Sequence, residues 1–588
     1  MKNLLLTLMM LLLPVVASAY PVEIDGIYYN LVSKVKIAEV TKGPNEYTGS
    51  VTIPDVIYYE GIEYSVTSIG NNAFKDCKGL KSVIIPNSVT SLGEELFRGC
   101  TGLTSVTIGN GVTSIPEYAF FDCKNLSMVD LGNNIRTIED FAFVGCSHLT
   151  SIKIPNTVEY IGEAWSFCGL TSVHITDIAA WCRIKFGSNF ANPLYDAHNL
   201  YLNDEEVIDL VIPYGVSSIS RLAFTGCTSI KTVTFPSSVT ELGSHVFYEC
   251  SNLVSVNLPT TLRKLPHYVF WGCSSLTSIT IPNLVTTISE GLFWGCISLT
   301  TINIPNNVTS IGDDAFRSCT NLTTIEIPDN VITIGRSAFF DNKQLSIIKI
   351  GRGIRTISEK AFSNCSALTD FYCYAKNVPY TEEAIFEGSY IDYSTLHVPS
   401  ESISSYKATA PWENFKNIIE TPKYTLTYII DGEEYQKYEI EEGEVITPEP
   451  APTMEGYIFV GWTEIPRTMP SHDVTVTGLV LINSYKLTYM VDDQVYKETM
   501  YEYGATITPE SQPEGDYATF EWIDLPETMP AHDVVVYANY STGIGEVLTA
   551  TQRNTSVYSI DGKNNNKLKK GLNIVIPKND KAKKVLVK

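Results

Sequence analysis

Positive charge is scarce in this chain. Its 588 residues carry 42 Lys and Arg against 65 Asp and Glu, a formal net charge of −23. That balance excludes nucleic acid and anionic membrane surfaces as partners, since both need a cationic face. Histidine is also scarce, with 8 residues, and none are clustered. There is no His-Glu-x-x-His and no Cys-x-x-Cys, so no metal site is expected. A phosphate loop, a dinucleotide fingerprint and a Gly-x-Ser-x-Gly elbow are missing too. No cofactor and no catalytic set are expected, and the chain does not read as an enzyme. Long apolar runs are confined to the N-terminus. There Lys2, the stretch Leu4 to Val16 and Ala17-Ser18-Ala19 form a signal peptide over residues 1–19. The run is too short for a stable span, so the mature chain is expected to lack a transmembrane segment and to be exported.

What the chain has is a repeat. Ala-Phe-x-x-Cys-x-x-Leu recurs every 23 residues, clearest at Ala315, Phe316, Cys319 and Leu322. Each copy continues into Ile-x-Ile-Pro, then Val and Ile-Gly, as at Ile325, Ile327, Pro328, Val331, Ile334 and Gly335. The Ile-x-Ile segment has the two-residue period of a strand, and proline ends it. Self-similarity at this period predicts a solenoid. Twelve copies fill the aromatic position, from Phe74 to Phe362 with Trp165 in a shortened turn. At a spacing of ~4.8 Å they predict a sheet about 55 Å long. The cysteines share one repeat position, with Asn342 replacing one of them. In stacked coils their Cβ atoms stay about 4.8 Å apart, beyond the roughly 3.8 Å a disulfide prefers. They are expected to be buried free thiols acting as small hydrophobes. Cys182 and Cys373 lie off this column.

The repeat reads as a solenoid over residues 67–365, with an irregular insert at 176–209. Residues 20–66 suit an N-terminal cap and 366–420 a C-terminal cap, because both open ends need covering. In the second cap, Ser400 is expected to cap a short helix ending before Pro411. In the insert, Asn203-Asp204 is expected to turn a hairpin back into the strand at Val211. The repeated phrase and Ile-Pro-x-x-Val-x-x-Ile-Gly resemble the BspA-like leucine-rich repeats of bacterial surface proteins, as do the insert and the ending Pro411-Trp412-Glu413-Asn414-Phe415. The resemblance implies a repeat solenoid of leucine-rich type, mainly parallel β with short helical turns, displayed on the cell surface and adhesive.

Residues 424–480 and 485–540 are copies of one another. Tyr424-Thr425-Leu426-Thr427-Tyr428 matches Tyr485-Lys486-Leu487-Thr488-Tyr489. Met469-Pro470-Ser471-His472-Asp473-Val474 matches Met529-Pro530-Ala531-His532-Asp533-Val534. Each copy holds eleven acids against two bases. The pair resembles the Listeria–Bacteroides repeat, which implies small β-rich, β-grasp-like modules. Gly456, Tyr457, Phe459, Gly461 and Trp462 carry the likeness in the first copy; the second lacks the Gly before Trp522. Leu525-Pro526-Glu527-Thr528-Met529 looks like a sortase anchor, but its sister Ile465-Pro466-Arg467-Thr468-Met469 makes it part of the module. The tail 541–588 reverses the charge, with ten bases against three acids. Its Asp561-Gly562 turn, Gly571-Leu572-Asn573-Ile574-Val575 strand and Lys584-Val585-Leu586-Val587-Lys588 ending resemble a type IX secretion C-terminal sorting domain, without the usual upstream Pro-Asn-Pro.

Three places are candidate sites. The concave strand face presents Thr107, Asp130, Lys153, His174, Thr234, Asn257, Thr280, Asn303, Glu326 and Lys349 outward, either as a broad hydrogen-bonding platform or as a solvated ladder. An aromatic stripe follows the core Phe at Tyr248, Trp271 and Trp294, either gripping a glycan or packing between coils. Cys182 with His198 and Asp196 is the one thiol–imidazole grouping, and a packed insert explains it better. The expected function is an exported, adhesin-like surface protein engaging host or bacterial proteins through the solenoid. A glycan-binding protein and a passive structural component are the alternatives. Cell surface or extracellular medium is the expected location.

Overall fold

The computed structural model describes residues 21–542 and four strands of the tail. The signal peptide expected at 1–19 lies outside the described residues. Two compact units are present: Met1–Tyr424 with Ile440–Glu444, and Thr425–Glu439 with Val445–Lys588.

The first unit is a solenoid of about 15 turns with little helix. Most coils place one strand on a long face and a two-residue strand on the return path. The long face runs in parallel register one repeat apart: Val83 lies beside Val106, and Ile325 beside Ile348. It begins at Gly49–Thr52 and ends at Asn417–Glu420. The insert forms a coil of its own. Lys185–Phe186 continues the return ladder beside Tyr160–Ile161, and Leu200–Leu202 continues the long face beside Val173–Ile175. Asn203 and Asp204 do turn a hairpin, with φ of 51° and 67°. Its second arm is Glu205–Glu206, not the strand at Val211, which opens the next coil in parallel.

Burial explains why the repeat needs these residues. The inward Val and Ile, the Leu, the Phe and the Cys are almost all buried in one cluster. The Phe rings stack face to face from Phe74 to Trp165 at centroid spacings of 4.9 to 5.2 Å. They resume from Phe224 to Phe362 at 5.1 to 5.9 Å. The insert plugs the gap: Trp165 Nε1 donates to the Ala191 carbonyl at 3.0 Å and Trp181 Nε1 to that of Ala223 at 2.7 Å. The segment around each Phe is tight turn rather than helix. Two residues with left-handed φ flank the ring, as at Tyr118 and Asp122 (56° and 58°).

All the cysteines are free thiols, and they do more than fill space. Except for Cys77 and Cys227, which open the two runs of coils, each ladder Sγ reaches the carbonyl of the Phe one coil back. The distances are 3.0 Å for Cys123 to Phe97, 3.2 Å for Cys273 to Phe247 and 3.1 Å for Cys319 to Phe293. Burial pushes the Cys319 thiol up to about 12, so it keeps the proton it donates. Asn342 preserves the function: its amide donates to the Phe316 carbonyl at 2.9 Å and the Phe339 carbonyl at 2.8 Å. Its Oδ1 has no partner among the described residues. A buried carbonyl needs a donor, which explains why the position takes Cys or Asn rather than Leu.

Proline interrupts the return ladder. Gly93, Gly243 and Gly312 each donate an N–H to the isoleucine one coil back at 2.8 Å. Pro116 and Pro266 occupy the same position and have no N–H. The return ladder stops at Ser91–Leu92 and again at Glu241–Leu242, and restarts at Ser114–Ile115 and Thr287–Ile288. In the C-terminal segment, Ser400 opens a short 3₁₀ turn and makes no side-chain cap; the helix itself is Ile403–Lys407.

The second unit holds two four-stranded sheets of the same design. In the first, Lys423–Ile430 lies parallel to Val474–Ile482, which pairs antiparallel with Tyr457–Trp462. In the second, Ser484–Val491 lies parallel to Val534–Thr542. Met469 and Met529 are buried in the two cores, and Thr468 and Thr528 make equivalent bridges to Val445 and Thr506. The anchor-like phrase ending in Met529 is therefore core structure. In the tail, Gly571–Pro577 pairs antiparallel with Thr555–Ser559 and with Lys583–Val587.

Candidate functional site

The two-residue strand period sends alternate side chains of the long face away from the core. All ten face residues occupy such positions, and register brings them into columns. Thr107 lies beside Asp130, Lys153 beside His174, Thr234 beside Asn257, and Glu326 beside Lys349. Thr107, His174 and Lys349 are half-buried and the other seven are exposed.

Polar residues at the start of the strand, in the loop after it and on the return path are tied down. Thr104 donates to the Lys81 carbonyl at 2.9 Å, Thr309 to that of Thr286 at 3.1 Å, and Asn330 to that of Asn306 at 2.7 Å. These hydroxyls and amides stitch coil to coil. The face column behaves differently. Among the described residues, no side-chain hydrogen bond or ion pair is made by Thr107, Lys153, Thr234, Asn257, Thr280, Asn303 or Glu326. Asp130 is committed, accepting from the Gly132 N–H at 3.1 Å.

The free stretch from Thr234 to Glu326 contains a break in the sheet. Strand pairing stops at Ser278–Ile279 and resumes at Thr324–Ile327, and residues 301–304 form no strand between them. The gap opens a hollow of about 560 Å³. Ser278, Thr280, Thr301, Asn303, Thr324 and Glu326 give it a hydroxyl, amide and carboxylate lining. It is a surface for hydrogen-bonding a polar chain, with one negative charge at its edge.

Beside the insert and at its last coils the face carries residues that the repeat phrase alone does not reveal. His174 stacks on Tyr201 at 4.7 Å, and its Nδ1 lies 3.0 Å from Asp204. Tyr372 stacks on His397 at 4.1 Å, and His397 Nε2 lies 2.9 Å from Asp370. The signal was present in the strands Leu200–Leu202 and Thr395–Val398, which extend the same column across the insert and the last coil. Lys349 is engaged: it pairs with the carboxylate of Glu442, to which Tyr374 donates at 2.9 Å. Residues Ile440–Glu444 belong to this same compact unit.

The aromatic stripe presents little free ring face. Trp271 meets Tyr248 edge-on at 4.4 Å and stacks on Trp294 at 4.7 Å. The other face of Trp294 is covered by Arg317, whose guanidinium lies 4.6 Å from it and 4.8 Å from Phe340. All three stripe residues are half-buried. A sugar needs an open ring to stack on, so this geometry gives a glycan no support. Cys182, His198 and Asp196 are not assembled into a site. Cys182 is buried and its thiol pushed up to about 12 by burial, while His198 Nδ1 faces the Gly226 carbonyl at 2.9 Å. Burial also raises the Asp196 carboxyl. No group of metal-ligating side chains occurs among the described residues. Nor is any described helix long and apolar enough to cross a membrane.

The family model for the BspA type leucine rich repeat region matches residues 67–184, 197–319 and 286–408, more than half of the chain. The Listeria-Bacteroides repeat domain matches 424–472. Internalin H of Listeria monocytogenes is 23% identical over 186 residues, 28% of this chain and 34% of that protein. The chain thus spans about a third of that relative's length. A leucine-rich repeat protein of Bacteroides ovatus is 26% identical, with a TM-score of 0.43, covering 62% of this chain and 99% of that one. A leucine rich cell surface protein of Faecalibacterium prausnitzii is 23% identical, with a TM-score of 0.32, covering 60% and 94%. Leucine-rich repeat proteins of this kind are typically non-enzymatic binding scaffolds. With its stacked phenylalanines and its thiol column repeated through parallel coils, the chain belongs to the BspA-type leucine-rich repeat family.

Proposed function

We propose that this chain is an exported, adhesin-like surface protein that holds protein partners on the long strand face of its solenoid. One observation carries the reading. The outward column from Thr234 through Asn257, Thr280 and Asn303 to Glu326 is exposed and uncommitted, whereas polar residues at the strand start, in the following loop and on the return path are tied to backbone carbonyls. Uncommitted polar side chains on a rigid scaffold suit recognition, because no internal bond must break before a partner is met. Many such contacts over a long face supply affinity without any deep pocket. The signal peptide supports export. The basic tail 541–588 is read as the sorting element and the two β-rich modules as a stalk.

The test is binding of the mature chain to immobilised extracellular-matrix proteins and, in parallel, to a glycan array. Binding to a matrix protein that is lost in the triple variant Thr280→Arg, Asn303→Arg, Glu326→Arg supports the reading. Undiminished binding by that variant, or binding to glycans alone that disappears with Trp271→Ala and Trp294→Ala, would replace it. Deleting 541–588 is expected to abolish surface display; unchanged display would remove the sorting role.

A further inference from the structure

The two ladders of the solenoid end at different coils. The long face continues through Thr395–Val398 to Asn417–Glu420, whereas the return ladder ends at Tyr380–Thr381. After Val398 the chain enters the 3₁₀ turn and the helix Ile403–Lys407 instead of making another return strand. The return path is thus left with a step.

The step leaves backbone groups unpaired in a regular pattern. In the last coil, the Tyr380 N–H donates to the Arg355 carbonyl at 2.8 Å and the Glu382 N–H to that of Ile357 at 3.1 Å. One coil further on, the equivalent acceptors are the carbonyls of Pro379 and Thr381. On the same edge, Phe362 and Asn364 donate to the carbonyls of Ile385 and Glu387 at 2.9 and 2.7 Å. The equivalent donors one coil further on are the N–H groups of Phe386 and Gly388. Among the described residues none of these four groups has a backbone partner. Two of the four residues, Thr381 and Phe386, line a groove of about 680 Å³ with Ile391, Ala410 and Pro411 on its wall. Glu383 and Glu387 also line it, exposed and without an ion-pair partner among the described residues. Glu382 is committed to the Glu359 N–H at 2.8 Å.

We propose that this edge is a docking site for an extended, lysine-bearing peptide segment of a partner protein, added as the missing return strand. The open N–H and C=O groups ask for a strand. The apolar wall takes every second side chain. The two free carboxylates select lysine on the others. The site is separate from the long strand face and stands whether or not that face binds matrix proteins.

The probe is a capped, fluorescein-labelled nonapeptide alternating threonine and lysine, titrated onto the full mature chain and followed by anisotropy. Saturable binding is expected. The double variant Glu383→Gln, Glu387→Gln should weaken it by about threefold to tenfold, the range for two exposed ion pairs. N-methylating alternate residues on one edge of the peptide should weaken it at least about tenfold, and methylating the other edge should not, because only one edge faces the step. This control changes the peptide and leaves the protein's fold untouched. No saturation up to about 1 mM, a weak limit for specific recognition, would overturn the proposal. So would equal binding of a threonine–glutamate peptide, or indifference to both the methylation and the double variant.

Discussion

Replacing Asn342 with aspartate exchanges one NH₂ for one oxygen, with no change of volume, at a site with no solvent exposure. The wild-type amide faces two carbonyls, at 2.9 and 2.8 Å. An ionised carboxylate there would meet both as repulsive neighbours and lose its hydration. It therefore stays protonated in the folded state, and as an acid it donates one hydrogen bond where the amide donated two. That difference is worth about 1 kcal/mol. Holding the proton costs more as the pH rises. With an unfolded pKa of about 3.9, the cost at pH 7 is 1.36 × 3.1, about 4 kcal/mol. The sign follows from linkage. The folded pKa is raised, so the folded state binds more protons than the unfolded one, and the variant loses stability as pH climbs from about 4. Urea unfolding of wild type and Asn342→Asp at pH 4, 5.5 and 7 reads this directly. The gap between them should widen by roughly 1.4 kcal/mol per pH unit above the unfolded pKa. Asn342→Cys restores the ladder donor and removes the unpartnered Oδ1, so it should stabilise by about 1 kcal/mol at every pH. A gap that does not change with pH would show that residue 342 reaches water and that the donor column is not sealed.

Other outcomes follow from the same packing. Phe270→Ala removes a ring stacked between Phe247 and Phe293 and should cost about 3–5 kcal/mol in urea unfolding. Gly291 has a φ of +56°, and a Cβ there would lie 2.2 Å from the Tyr268 ring. Gly291→Ala should cost roughly 1–3 kcal/mol, and Tyr268→Ala should relieve part of that cost in a double-mutant cycle. Arg317→Ala uncovers Trp294 and removes the ion pair with Asp314. It should cost about 1–2 kcal/mol and red-shift the tryptophan emission.

The repeat period made the solenoid legible, because the same Phe, Cys and Leu spacing recurs in coil after coil and only stacking buries all of them. The limits were equally physical. The thiols read as small hydrophobes because sequence does not show which carbonyl lies above them; Asn342 was the clue, since a polar replacement at a core position needs a bond. The ladder breaks at Pro116 and Pro266 were visible as proline in place of glycine, but became meaningful only once Gly93 and Gly243 proved to be donors. The insert hid a complete coil because its strands follow a different spacing, which concealed Tyr201 as a neighbour of His174. The face column was legible from strand alternation. That Lys349 is held by Glu442 while its neighbour Glu326 is free was not, since the pairing is made across 93 residues.

Thiol titration without reductant, in native buffer and again in guanidinium, tests the sealed interior most directly. All 13 cysteines should react after unfolding. In the native state Cys168, the half-buried one, should be the only one to react readily. Fewer than the full number after unfolding, or several fast thiols in the folded protein, would contradict a column of buried, unpaired cysteines between stacked coils.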